Sequence, residues 1–390
     1  MKFYVPILLD VTQSKVKKLL FLFALITVVI FCSCKKDNNV VTSDNETPII
    51  EEPIIENPCP LGQYNGLVVS YQNTREEIDA LNATVIHSWL QWDFAEPNLN
   101  EPFILKEEVT EEMIAKYASG ELEGIDWTIT DNHIAEFDGL QLIMGVGSGW
   151  KNSVPLLDGE KITPDIIGRD QYIGQLYLHT RACVRRYKDK VLAWQIENEP
   201  NISEELILLG LREGDAWTDM DFMTEVLNTL EEAVRIEDPD AWITINFYVD
   251  VVEDYEADIA RWLPLVDMVG IDTYQDFFST NPKVAADSVL SKVNYISTLT
   301  NDKPVMIMET GYTAGPEELG YSEENQKIFV QEIYSRINEY NGCGITYFKH
   351  TTTEETGTAI FPFRNFRGLV NEEGEGKLSW HFLREFFSGN

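Results

Sequence analysis

Eight times between Gly66 and Phe387 a short apolar run gives way to a longer amphipathic one. The strand-like runs are 67–71, 84–88, 141–146, 191–198, 242–248, 268–273, 305–309 and 344–348. The helix-like runs are 74–81, 128–137, 169–187, 218–237, 256–265, 284–300, 324–340 and 378–387, the first opened by a Thr74/Glu77 capping box. Strands that each wait for a helix before the next strand pair in parallel, because a parallel crossover needs that length. Eight such units favour a closed (β/α)8 barrel, a single domain over residues 61–390, above the open doubly wound sheet that the alternation also permits. The repetition is one of pattern, not of letters.

The segment ahead of this domain has another character. Lys15, Lys17 and Lys18 precede an apolar run at 19–31, and Ser33 stands before Cys34. A basic flank, an apolar stretch too short to span a bilayer comfortably and a small residue at the cut describe a secretory signal over residues 1–33; an uncleaved anchor helix is the alternative. The Phe31-Cys32-Ser33-Cys34 end resembles a bacterial lipobox, which implies a mature chain tethered to the outer membrane by lipidation at Cys34, favoured over Cys32 because the latter would put bulky Phe31 at the cleavage point. Lys35-Lys36-Asp37 loosely resembles a surface-export tag. The rest of 34–60 is polar, acidic and punctuated by proline, a spacer rather than a fold.

The chain has 30 Lys and Arg against 65 Asp and Glu, a net charge of −35. Removing residues 1–33 takes away four Lys and one Asp and leaves −38. Such a balance argues against nucleic acid or an anionic lipid surface as the partner, since both need clustered cations. Membrane contact is expected through the lipid alone, and a tethered monomer is the default. With 44% hydrophobic residues the chain can still bury a large core.

Several chemistries lack their residues. The five histidines (87, 133, 179, 350 and 381) fall in no zinc-binding spacing. No G-x-S-x-G elbow and no P-loop occur, and no cofactor or metal is expected. Gly145-Val146-Gly147-Ser148-Gly149 lacks the third glycine of a dinucleotide loop, whose place Trp150 holds; it reads as a loop letting backbone approach a ligand. Five cysteines without regular spacing give no disulfide framework, and Cys183 and Cys343 read as small buried hydrophobes.

In a barrel, reacting groups sit where strands end. The fourth run ends Gln195-Ile196-Glu197-Asn198-Glu199-Pro200 and the seventh Met308-Glu309-Thr310-Gly311, each setting a carboxylate at a strand end. Asn198-Glu199-Pro200 together with Glu309 resembles the signature of clan A glycoside hydrolases. Trp92-Asp93-Phe94-Ala95-Glu96-Pro97, Asp126-Trp127, Arg186-Tyr187-Lys188, Gly270-Ile271-Asp272-Thr273-Tyr274, and Gly368-Leu369-Val370-Asn371 with Lys377-Leu378-Ser379-Trp380-His381 extend the resemblance over residues 66–387. The Trp92–Pro97 turn leans towards family 5-like or family 39-like members.

The resemblance implies a retaining enzyme acting on a β-linked glycan, with Glu199 as acid/base and Glu309 as nucleophile. Two carboxyls are needed because one must protonate a poor leaving group while the other captures the oxocarbenium-like centre; retention sets them about 5–5.5 Å apart. It further implies that Asn198 bonds the substrate 2-hydroxyl and that Tyr274 holds Glu309. Alternation along the strand puts Gln195, Glu197 and Glu199 on one face, so Glu197 is expected one layer deeper, paired, with His87 a candidate partner. There are two departures from the family pattern. His87 stands where many members carry an arginine on strand two. Strand eight offers Tyr347 or Phe348, not a tryptophan, as the sugar floor, with His350 at its end. Trp89, Trp92, Trp150, Phe247, Tyr248 and Phe277 are candidate stacking aromatics. Long loops at 89–125, 148–168 and 350–376 suggest an open cleft and endo action on a polysaccharide. A transglycosylase, and a non-catalytic glycan-binding lipoprotein on a decayed barrel, are the rivals.

Overall fold

A computed structural model describes residues 64–147, 150–250, 255–350, 366–371 and 373–389. The signal, Cys34 and the spacer lie outside them, as do Ser148, Gly149 and most of the 350–376 loop. The eight strand-like runs form β1 (Tyr64–Val68), β2 (Val85–Trp89), β3 (Gln141–Gly145), β4 (Val191–Asn198), β5 (Trp242–Tyr248), β6 (Met268–Asp272), β7 (Val305–Thr310) and β8 (Gly342–Tyr347). They close into a barrel in the order β1-β8-β7-β6-β5-β4-β3-β2, every pair parallel. The helices that follow the strands are α1 (Arg75–Leu81), α2 (Thr128–Glu136), α3 (Arg169–Tyr187), α4 (Met220–Glu237), α5 (Tyr255–Trp262), α6 (Pro282–Ser297), α7 (Glu323–Arg336) and α8 (Leu378–Gly389).

Local chemistry explains the boundaries. Thr74 and Glu77 exchange side chain and backbone at the head of α1 as the capping box requires, and Asn82 ends the helix in the left-handed region. β1 starts three residues before its apolar pattern and ends before it too, because the Asn73 side chain accepts from Ser70 N–H and turns the chain at that end. Gly66 has no alternative: a Cβ there would lie 2.0 Å from the Val85 carbonyl oxygen on β2. Within the long loop after β2 the chain adds a helix over Glu111–Ser119, capped by Thr110, and after β3 a small hairpin pairs Leu156–Leu157 with Glu160–Lys161. Sequence periodicity missed both.

Two apolar layers hold the molecule. The larger lies between strands and helices. The smaller gathers Tyr64, Val85, Ile143, Ala193, Met268, Met306, Met308 and Cys343 from seven different strands, a set that can meet only inside the barrel. Further towards the carboxyl ends of the barrel strands come His87, Gln195, Asn246, Asp272 and Thr346, all buried and polar. The barrel therefore has an apolar floor and a polar upper layer. Cys343 is disulfide-bonded, which corrects its reading as a simple hydrophobe; Cys183 is free and buried. Among the described residues, no helix is long and apolar enough to cross a membrane.

Candidate active site

β4 delivers its functional residues by breaking its own alternation. The register against β5 shifts between Gln195 and Asn198, and Glu199 takes a left-handed backbone (φ 49°, ψ 48°) that starts the turn Pro200–Ile202. A non-glycine residue in that region is strained and persists only where its surroundings hold it. Glu199 N–H donates to the Asn246 carbonyl at 2.9 Å, tying the turn to β5.

The shift also overturns the expected placing of Glu197. Its Oε1 accepts from Asn198 N–H at 2.9 Å and lies 3.4 Å from Arg212 Nη2, with both side chains fully buried. Arg212 further donates to Ser203 Oγ and to the Asn198 carbonyl. The buried guanidinium thus braces the 197–203 segment, and His87 is not the partner. Gly147 packs against this carboxylate: a Cβ there would lie 2.9 Å from Glu197 Cδ. Gly145 likewise faces the Trp89 ring, with 2.3 Å to Cδ1. These two glycines serve close packing rather than a ligand.

His87 bonds Gln195 instead. Gln195 Oε1 can only accept, so His87 carries its proton on Nε2. Burial pushes the imidazole down to about 4, so it is neutral at physiological pH and cannot supply the positive charge of an arginine. Gln195 Nε2 donates to Asn198 Oδ1 at 2.8 Å, and Asn246 Nδ2 donates to the same oxygen at 3.3 Å and to Asp272 Oδ1 at 3.2 Å. A continuous band His87–Gln195–Asn198–Asn246–Asp272 therefore crosses β2, β4, β5 and β6. Since Asn198 Oδ1 is occupied twice, its amide group is oriented with the NH2 left to donate elsewhere.

Next to the end of that band, Tyr274 just after β6 donates its hydroxyl to Glu309 Oε2 on the neighbouring β7 at 2.6 Å. Burial, then the Glu309 charge, holds this phenol well above its usual range, so it acts only as a donor. Arg367 lies 4.2 Å over the Tyr274 ring and 4.5 Å from that of Phe277. It is anchored by a two-pronged pair to Asp276, at 2.7 Å and 3.2 Å, and both side chains are buried. Burial raises the Asp276 carboxyl while Arg367 opposes the rise. Sequence reading passed over Arg367 because it sits in a loop with no strand to mark it.

The remaining candidates divide. Phe348 is half-buried, its ring edge-on to Tyr274 with centroids 6.1 Å apart, so it borders the Glu309 wall. Tyr248 closes β5 opposite Asp272, its backbone held by Asn201. Tyr347 is fully buried and spends its hydroxyl on the Tyr312 and Arg367 carbonyls, so it ties loops together and has no face for a sugar. Trp92 is also buried, donating to Glu96 and stacked on His179. Phe247 stacks on Trp262 outside the barrel. Trp150 lines a small cavity with Lys151, Glu213 and Trp217. His350 is buried and packs against the β1–α1 turn, with Nδ1 at 3.3 Å from Asn73 Nδ2.

Chemically, the upper barrel offers two carboxyls, Glu199 and Glu309, with a hydroxyl donor fixed on one and an oriented amide beside the other. Among the described residues no group of three or more His, Cys, Asp or Glu could hold a metal ion.

No protein-family model and no curated protein matches the chain. Solved structures do. The chain is similar to a β-glucuronidase of Faecalibacterium prausnitzii (16% identity, TM-score 0.52, covering 84% of this chain and 49% of that one). It is similar also to that of Bifidobacterium dentium complexed with coumarin-3-O-glucuronide (16%, TM-score 0.53, 84% and 47%). A third is the β-glucuronidase of an uncultured Clostridium sp. (17%, TM-score 0.52, 84% and 51%). The chain spans about half the length of these proteins, and the likeness establishes the (β/α)8 fold.

Proposed function

We propose that this protein is a β-glycoside hydrolase that works with retention of configuration, Glu309 as nucleophile and Glu199 as acid/base. The observation that carries the reading is the Tyr274 hydroxyl on Glu309 Oε2, which anchors that carboxylate at a strand end. In the first step Glu309 attacks the anomeric carbon while Glu199 gives its proton to the departing oxygen. In the second, Glu199 takes a proton from water, whose oxygen displaces Glu309 from the sugar. Asn198, its carbonyl oxygen held by Gln195 and Asn246, donates to the sugar 2-hydroxyl, and Phe348 is the nearest aromatic to serve as floor. The substrate is a β-linked glycan, cut within an open cleft. The three neighbours' names add β-glucuronides to the β-glucans, β-mannans, β-galactans and β-xylans to be tried.

Export and tethering through Cys34 complete the proposal. A disulfide at Cys343 supports an oxidising compartment, where such bonds persist.

The test is hydrolysis of that panel by the full chain, with Glu309→Gln alongside. Cleavage by the wild type that falls by about 10³-fold or more in the variant supports the reading. Binding of a glycan by both proteins with no product from either sinks it in favour of a glycan-capturing lipoprotein. Tyr274→Phe gives a graded check, because it removes only the hydroxyl and keeps the ring under Arg367. A hydrogen bond to a charged group contributes about 1.5–3 kcal/mol, so kcat/KM is expected to fall about ten- to a hundredfold with the thermal midpoint little moved.

A further inference from the structure

Asp272 ends β6 and is fully buried. Its strand partners are Tyr248 on β5 and Glu309 on β7, and Glu199 lies within electrostatic reach. Oδ1 accepts from Asn246 Nδ2; Oδ2 is buried without any hydrogen-bond partner. An ionised carboxylate left so would be buried among like charges with one oxygen unsatisfied, an arrangement that costs several kcal/mol. The nearby cations are engaged elsewhere: Arg367 with Asp276, Lys292 with Asp250 and Arg212 with Glu197. Tyr274, whose proton goes to Glu309, also lies within electrostatic reach of Asp272, and Asp250 adds a further negative charge.

We propose that Asp272 is a third carboxyl of the site that carries a proton during turnover, positioning Asn198 through Asn246 with Oδ1 and offering an O–H donor at Oδ2. Burial first, then Glu309 and Glu199, holds this carboxyl well above the usual range, in accord with that geometry. The proton is kept through neutral pH and lost only as pH rises through the raised value. Three carboxyls crowded together cannot all ionise, so a proton on Asp272 lets Glu309 keep its charge. The role in turnover rests on the reading of Glu199 and Glu309 given above; the protonation does not.

Infrared difference spectra of wild type minus Asp272→Asn at pH 7 test the protonation without any substrate. A carboxylic-acid carbonyl band present in the wild type and absent from the variant is expected. In Glu309→Gln the same band should titrate at lower pH, since a neighbouring charge is gone. A carboxylate band lost in its place overturns the proposal while leaving the hydrolase reading standing. If no β-glycoside is cleaved, the hydrolase reading falls and the spectra still decide the protonation. Should Asp272→Asn not fold, carbon-13 resonances of labelled aspartate in the wild type supply the same titration. With a substrate in hand, Asp272→Asn, which keeps the acceptor for Asn246 and a donor, is expected to lose less than about tenfold in kcat/KM. Asp272→Ala, which keeps neither, should lose about a hundredfold. The reverse order, with the amide variant the worse of the two, also overturns the proposal.

Discussion

Glycine in place of Glu309 is expected to reduce turnover of an activated aryl β-glycoside by about 10³-fold or more, and added azide to restore part of it as the α-glycosyl azide. The vacated side chain leaves room on the α face of the sugar. Azide attacks there, its nitrogen lone pair forming the new bond as the aryl oxygen departs with the old one, protonated by Glu199. Glycine in place of Glu199 should give the opposite product. An aryl leaving group needs little acid assistance, so Glu309 still forms the glycosyl-enzyme, and azide then displaces Glu309 from the other face to give the β-glycosyl azide. Product configuration thus reports which carboxylate touches carbon, independently of how far each rate falls. The proposed roles fail if both variants yield the same anomer, or if either retains wild-type turnover.

The fold was legible because eight alternations have few solutions. β4, β5 and α3 have the ends that periodicity predicts, and the Thr74/Glu77 box marks the head of α1. What period-two reasoning could not see was the bulge between Gln195 and Asn198. A shift of one residue reverses the faces beyond it, so Glu197 leaves the barrel axis for Arg212, and Gln195 meets Asn198 three positions on. The carboxylates at strand ends and Tyr274 were visible as letters at chosen places. Asn246 is not marked by the sequence motifs and Asp272 only as one letter of the strand-six motif, although both are polar residues in strands otherwise apolar, and that contrast was the available signal. Tyr347 and Trp92 misled because an aromatic near a barrel mouth satisfies the same pattern whether it faces the cleft or the loops behind it.

Arg367→Met is expected to destabilise the domain by about 3–5 kcal/mol and lower the thermal midpoint accordingly. The guanidinium is buried with Asp276, and removing it strands a carboxylate that also accepts Thr313 N–H at 3.1 Å. Pairing the change with Asp276→Asn should return most of that loss, since the amide no longer needs a counter-charge; the double variant is therefore expected to melt well above Arg367→Met alone. Activity should part company with stability. Arg367 lies over the ring whose hydroxyl holds Glu309, so the double variant, though folded, loses a cation beside that wall which neutral His87 cannot supply. Its kcat/KM is expected to stay about tenfold or more below wild type, with the loss in kcat rather than KM, because the support acts on the carboxylate and not on bound sugar. Recovery of both melting point and kcat in the double variant would reduce Arg367 to a structural tie. Recovery of the melting point alone makes it a positioning residue that acts on Glu309 through Tyr274.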